Sequence, residues 1–326
     1  MSTVTPFAVL ALIGAVSGAV TAWLVLRRSP PVQVLTPAAP PELMEPEVTA
    51  QLLADEHTAR LAALDRLAEL ADTDPARRQD CVDEIVEQFR YRWHDQPAWQ
   101  AELWRLLLPH LRRDSPRFWP GMYLRAGHVV LHDLDLRGCE VLDVAFRSVR
   151  FVGDAHFEGV VFTGLACFEE ACFARHACFG GARFGVGADF ENATFTGSAD
   201  FAQATAGRAM WFDEARFSAR TDFSEVVFAD DVSFAGAGFA GRTTFRGARF
   251  ATDAFFGGAR FGGHADFTGA TAERFRFPRA RARADVHAVR HWPPGWTAGP
   301  PQPLKPGHWA ELRTGVASDG QPSGLE

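Results

Sequence analysis

The sequence predicts an all-β repeat solenoid, a four-sided β-helix, preceded by an N-terminal transmembrane helix and a small α-helical segment. Three observations carry that reading. Phe recurs from Phe146 onward in steps that alternate between five and six residues, no Pro occurs between Pro120 and Pro278, and residues 7–26 carry no charge. The background composition is globular, with 47% hydrophobic and 22% charged residues in 326, which excludes a chain disordered throughout. Its distribution is skewed, with 28 Phe against 2 Tyr and Lys305 as the sole Lys. A regular architecture is consuming phenylalanine. The net charge of −7 excludes a general nucleic-acid binder, which carries a strongly basic balance. Five Cys, an odd number in a long chain, read as reduced thiols and not as a disulfide framework.

In chain order, residues 1–28 form the expected anchor. The apolar run Phe7–Leu26 is long enough, at about 1.5 Å per residue, to span a hydrocarbon core of roughly 30 Å. The alternative is a cleaved signal peptide, but no side-chain charge precedes the run and no small-x-small cleavage site follows it. Arg27 and Arg28 immediately after it predict a cytoplasmic C-terminal domain, single-pass, with the lipid bilayer as a partner through residues 7–26. Gly14 and Gly18 make a small-xxx-small pattern that would let two such helices approach closely as a homodimer. Residues 29–46, with Pro30, Pro31, Pro37, Pro40, Pro41 and Pro46, read as a stiff linker.

Residues 47–120 read as α-helical. Leu53, His57, Leu61, Leu64, Leu67 and Ala71 recur at helical spacing. A second helix starts near Asp74-Pro75, with Cys81, Val82, Ile85, Val86 and Phe89 on one stripe, and a third runs from Pro97 to Arg112. The Trp99, Leu103, Trp104, Leu107 and Leu111 face of the third is expected to cap the following domain.

Residues 121–278 carry the repeat. From 146 to 272 the five-six rule defines 24 positions, of which 22 are Phe and only Ala206 and Ala272 depart. Two residues before each stands a small or apolar side chain, as in Ala182-Arg183-Phe184, while the residue between is often Arg, Asp or Thr. Each unit is therefore a short strand with two side chains inward and one outward. Such strands bury their Phe only by winding into coils that stack about 4.8 Å apart. Unequal sides stack like on like only if they come in even number, so the coil has four sides, of five, six, five and six residues. Leu131, Leu136, Val141 and Phe146 keep pure five-residue spacing and form the opening coil. Residues 279–326, with Arg279, Arg281, Arg283, Arg290, Trp292, Trp296 and Trp309, read as a basic, Pro- and Trp-containing cap and tail.

These Ala-x-Phe units resemble those of the pentapeptide-repeat family. The resemblance implies a right-handed quadrilateral β-helix; the extra residue on alternate sides is the departure from the family pattern. Leu67-Ala68-Glu69-Leu70-Ala71 and Pro75-Ala76-Arg77-Arg78-Gln79 look like the helical leader of membrane-attached members. Some members mimic DNA and modulate DNA gyrase, which makes a DNA-mimicking modulator the alternative function. Residues 130–278 hold 20 acids and 14 Arg, a net of −6 interrupted by Arg, where a mimic needs continuous acid.

Residues one full coil apart are expected to lie one above another on the outer surface. One corner then collects Glu169, Glu170, Glu191, Asp213 and Glu214, beside a column of Asp189, Trp211, Ser233 and Phe255. Carboxylates running into two outward aromatics are expected to form a protein-docking face for an unidentified protein partner. His176, Ser198, Arg220, Arg242 and His264 make a weakly basic column. Cys167, Cys172 and Cys178 are expected on three successive sides, diverging, so no shared metal site is assigned to them. No Gly-x-Ser-x-Gly, Walker loop or paired acid site is present, so no catalytic residue and no cofactor is assigned. The expected function is a membrane-anchored, noncatalytic scaffold for protein-protein interaction.

Overall fold

The computed structural model describes residues 46–54, 56–90 and 96–315. The expected membrane span at 7–26, the linker up to residue 45 and the last residues of the tail lie outside them. Among the described residues no helix is long and apolar enough to cross a membrane. The chain divides into two compact units, residues 1–60 and 61–326.

In the first unit, helix α1 (Pro46–Leu52) ends where Arg60 Nη1 donates to the Ala54 carbonyl oxygen at 2.8 Å. Helix α2 (His57–Thr73) begins after that break. Helical spacing puts Leu53 and His57 on one buried stripe, and the structure corrects this. Leu53 lies past the end of α1 and is 50% exposed, and His57 is exposed at the first residue of α2. Spacing alone cannot register where one helix stops and the next begins.

In the second unit, the buried stripe of α2 is Ala63, Leu64, Leu67, Ala68 and Ala71. Asp74 starts the next helix as anticipated: its side chain accepts from the Ala76 amide at 3.1 Å ahead of the 3₁₀ turn Pro75–Arg77 and helix α3 (Arg78–Glu87). Cys81, Val82, Ile85, Val86 and Phe89 are all buried. Helix α4 (Pro97–Leu111) buries Trp99, Leu103, Trp104, Leu107 and Leu111, with the Trp104 ring 4.9 Å from Phe89.

Two glutamines join these helices to the solenoid. Gln100 donates to the Val130 carbonyl at 2.6 Å and accepts from the His132 amide at 2.8 Å. Gln79 does the same at Tyr123, donating at 3.1 Å and accepting at 2.8 Å. A primary amide presents the donor and acceptor of a peptide group. Each glutamine therefore stands in for a missing strand on the first coil's open edge, which would otherwise invite pairing by another chain.

The solenoid is four parallel sheets, one per side of the coil. We number the faces in chain order, taking the coil from Arg150 to Cys167 as reference. Face 1 holds Arg150–Val152, face 2 Ala155–His156, face 3 Val161–Phe162 and face 4 Leu165–Cys167. Through the middle of the solenoid each face keeps the expected coil length as its register, with Arg150 beside Cys172, Ala155 beside Ala177, Val161 beside Arg183 and Leu165 beside Gly187. The opening coil is shorter: Leu131 sits beside Phe151, the interval that pure five-residue spacing requires. The ladder continues past residue 278. Arg281 and Arg290 still pair in parallel with Arg260 and Ala265 on faces 1 and 2. An antiparallel hairpin of Trp296–Pro303 and His308–Thr314 then covers the face 1 edge.

The Phe rings make columns. On face 2, Phe157, Phe179, Phe201, Phe223, Phe245 and Phe267 stack with centroids 4.6 to 4.9 Å apart and planes within 15°. Rings from opposite faces meet edge-on across the core, as Phe168 of face 4 and Phe179 of face 2 do at 5.4 Å and 85°. Stacked and edge-to-face contacts both suit the ring quadrupole, so one residue type satisfies the whole core. The five-residue sides close by a tight turn in which the Ala182 amide donates to the Phe179 carbonyl at 3.0 Å, with Gly181 at φ 64°. A turn with positive φ at its third residue favours glycine there. At the far end Trp292 and Trp296 cover the last rings, the latter 5.0 Å from Phe277.

Candidate docking face

Face 4 turns outward every second residue, and its register stacks Cys167, Asp189, Trp211, Ser233, Phe255 and Arg276 in one column. The neighbouring corner stacks in step: the Glu170 amide donates to the Glu191 carbonyl at 2.8 Å, and Asn192 does so to Asp213 at 2.8 Å. Glu169, Glu170, Glu191, Asp213 and Glu214 therefore share one edge with Asp189 beside them. The structure brings together all eight residues expected there from the sequence.

Their environments differ from bare outward display. Trp211 and Phe255 are half-buried, and Ser233 between them is buried. Their outward position follows from strand alternation, but a large ring on a flat parallel sheet lies along its neighbours. Phe255 shows why: its Cζ would be 2.5 Å from a Cβ on Gly257, so the ring occupies the space that only glycine leaves free. Pro278 closes the same corner, with its Cγ 3.3 Å from that Cβ position.

Glu169, Glu170, Asp189 and Asp213 are held by neighbours. Arg147 Nη2 meets Glu169 Oε1 at 2.7 Å at one end of the stripe, and Ser148 Oγ donates to Glu170 Oε2 at 2.7 Å. Asp189 Oδ1 accepts the Glu191 amide at 2.8 Å. Asp213 is buried and accepts from Ser233 Oγ and from the Ala235 amide. Burial pushes Asp189 up to about 6; the Glu191 amide pulls it back, while the charges of Glu169, Glu191 and Asp213 push it further up. Glu170 and Glu214 sit at φ 59° and 56°, the turn position that Gly236 and Gly258 occupy in later coils. Charged residues are kept there at the steric cost of a left-handed backbone. The arrangement is a fixed negative stripe with an apolar border, suited to a complementary positive surface.

The other surface expectations also find their places. His176, Ser198, Arg220, Arg242 and His264 follow one another down the corner after face 1, where the Ala177 and Thr221 amides donate to the Ser198 and Arg242 carbonyls at 2.9 and 2.8 Å. Cys167, Cys172 and Cys178 stand on faces 4, 1 and 2 and do diverge. Comparing Cys178 with the other cysteines alone misses its real neighbour. Register sets it directly beside His156, one coil earlier, a partner that the coil length itself supplies.

The sequence signature of the family described as pentapeptide repeats (nine copies) matches residues 126–171, 157–205, 179–227 and 223–271. No curated protein and no solved structure matches the chain.

Proposed function

We propose, from the pentapeptide-repeat signature over residues 126–271, that the protein is a membrane-anchored, noncatalytic scaffold that docks a basic partner protein. The observation that carries the reading is the half-buried pair Trp211 and Phe255, in one column with Asp189 beside a stacked acidic corner. Aromatic anchors within a polar rim are the usual make-up of an interface, and a rim of one charge sign selects a partner of the other. A cytoplasmic, single-pass placement is part of this reading, supported by Arg27 and Arg28 after the uncharged run and by five free cysteines. So is a right-handed coil, the hand that parallel strands joined by crossovers adopt.

The alternative, a DNA mimic acting on an enzyme such as gyrase, fits the outer columns less well. Arg150, Arg216, Arg260 and Arg281 recur on face 1, and Arg183 and Arg249 on face 3. Two of the four faces thus interrupt the negative charge.

A photo-crosslinking side chain at Trp211, compared in the native host with one at Arg183 on face 3, tests the docking face. A partner captured from 211 and not from 183, and lost when Glu170 and Glu191 become Lys, is the expected result. Equal capture from both positions contradicts it. Protease added to intact cells should spare the repeats; their digestion from outside contradicts the cytoplasmic placement alone.

A further inference from the structure

The outward column of face 2, on the side of the coil opposite the docking face, runs Asp135, His156, Cys178 and Asp200. Glu158 follows His156 by two residues and places Oε1 3.1 Å from His156 Nδ1. Its other oxygen, Oε2, is buried and has no hydrogen-bond partner. A buried carboxylate oxygen left without a partner is costly until a donor or a cation supplies one. The guanidinium of Arg137, two residues after Asp135, is already engaged by both oxygens of Asp135 at 2.9 and 2.6 Å. The ligand atoms of His156, Glu158 and Cys178 all lie within 4.8 Å of one another.

We propose that His156, Glu158 and Cys178 form a zinc site that clamps two consecutive coils together. One imidazole nitrogen, one carboxylate oxygen and one thiolate sulfur make a donor set that suits zinc, while the thiolate disfavours the hard cations calcium and magnesium. Tetrahedral zinc with bonds of about 2.0–2.3 Å holds its donors roughly 3.5 Å from one another, and the three here stand within 4.8 Å without the ion. Three protein ligands leave the fourth position to water. Binding replaces the Cys178 S–H bond with an S–Zn bond and releases that proton to solvent; nothing is oxidised. His156 and Cys178 belong to successive coils, so the ion ties the sheet across its ladder and stabilises the folded state by mass action.

Cobalt(II) titrated into the purified full chain in detergent tests the site, because its spectrum reports both thiolate ligation and tetrahedral geometry. The wild type should bind one equivalent with a thiolate-to-cobalt charge-transfer band, the band should persist in Cys172→Ser, and it should vanish in Cys178→Ser. His156→Ala should weaken binding roughly tenfold or more. Zinc should raise the melting midpoint of the wild type and of Cys172→Ser but not of Cys178→Ser. If Cys178→Ser does not fold by far-UV circular dichroism, Glu158→Gln takes its place, and unchanged cobalt affinity in that variant overturns the proposal. Absence of the band in the wild type, or its survival in a folded Cys178→Ser, overturns it as well.

Discussion

At the scale of single residues, the two departures from the Phe rule explain themselves once the columns are known. Ala206 stands between Phe184 and Phe228 on face 3 and leaves that column one ring short. Four residues on, the inward position of face 4 that holds Ala188 and Val232 in adjacent coils holds Met210, 2% exposed. The second departure repeats the pattern: Ala272 follows the Thr271 that bridges to Arg249, and Phe275 replaces the small residue on the next side, its ring 5.8 Å from Phe250. Volume removed from one side is returned by the next. Met210→Ala should cost about 3 kcal/mol and Ala206→Phe about 1–3 kcal/mol through overpacking. The double variant should melt close to the wild type, a coupling that additive single-site effects would contradict. Asp189 makes a second prediction. Its folded pKa of about 6 lies above the ordinary value of 3.8, so the fold favours its protonated form. That contribution is complete below about pH 4 and is lost as pH rises to about 6. Asp189→Asn, which keeps an acceptor for the Glu191 amide, should be more stable than the wild type by about 1–2 kcal/mol at neutral pH and indistinguishable from it near pH 4. Denaturant titrations at the two pH values check this.

At the scale of elements, the strands are two or three residues long and hold only because the ladder is continuous, so the coil's ends need partners. The Gln79 and Gln100 amides meet that need at the N-terminal end and the Trp296–Thr314 hairpin at the other. Gln100→Ala should leave α4 helical but speed hydrogen exchange at the His132 amide, while the Phe223 amide in mid-solenoid keeps its protection. Uniform loss of protection at both amides would contradict a local capping role. These elements also mark where the sequence was readable. The Phe ladder was legible because stacking imposes one period on every coil, and the acidic corner followed from that period by arithmetic. The glutamine caps were not, since a side chain that pairs with one backbone edge leaves no repeat. The burial of Trp211 and Phe255 was missed because alternation reports which way a side chain leaves the strand, not where a long ring comes to rest. His156 and Cys178 were in reach of the same arithmetic, but Glu158 joins them from the corner that follows the strand, off the outward column that the period defines.

At the scale of the whole repeat unit, one length governs everything else: that of a coil with four unequal sides, the same in every mid-solenoid register. The Phe columns, the docking face and the coil-to-coil pairing of His156 with Cys178 all depend on it. A single buried charge should therefore be intolerable. Phe223 lies between Phe201 and Phe245, each 4.9 Å away, with no exposed surface. Phe223→Asp should lose the cooperative thermal transition, since an unpaired carboxylate among stacked rings costs several kcal/mol. The most direct test of the coil itself is a pair of deletions compared by far-UV circular dichroism and melting. Removing Ala202–Phe223 takes out one full coil and returns every later side to its own direction, so that variant should keep the wild-type spectrum and a single sharp transition. Removing Ala202–Ala206 sets five-residue sides against six-residue ones in all later coils and should broaden or abolish the transition. Equal stability of the two deletions would contradict a four-sided coil of alternating five- and six-residue sides.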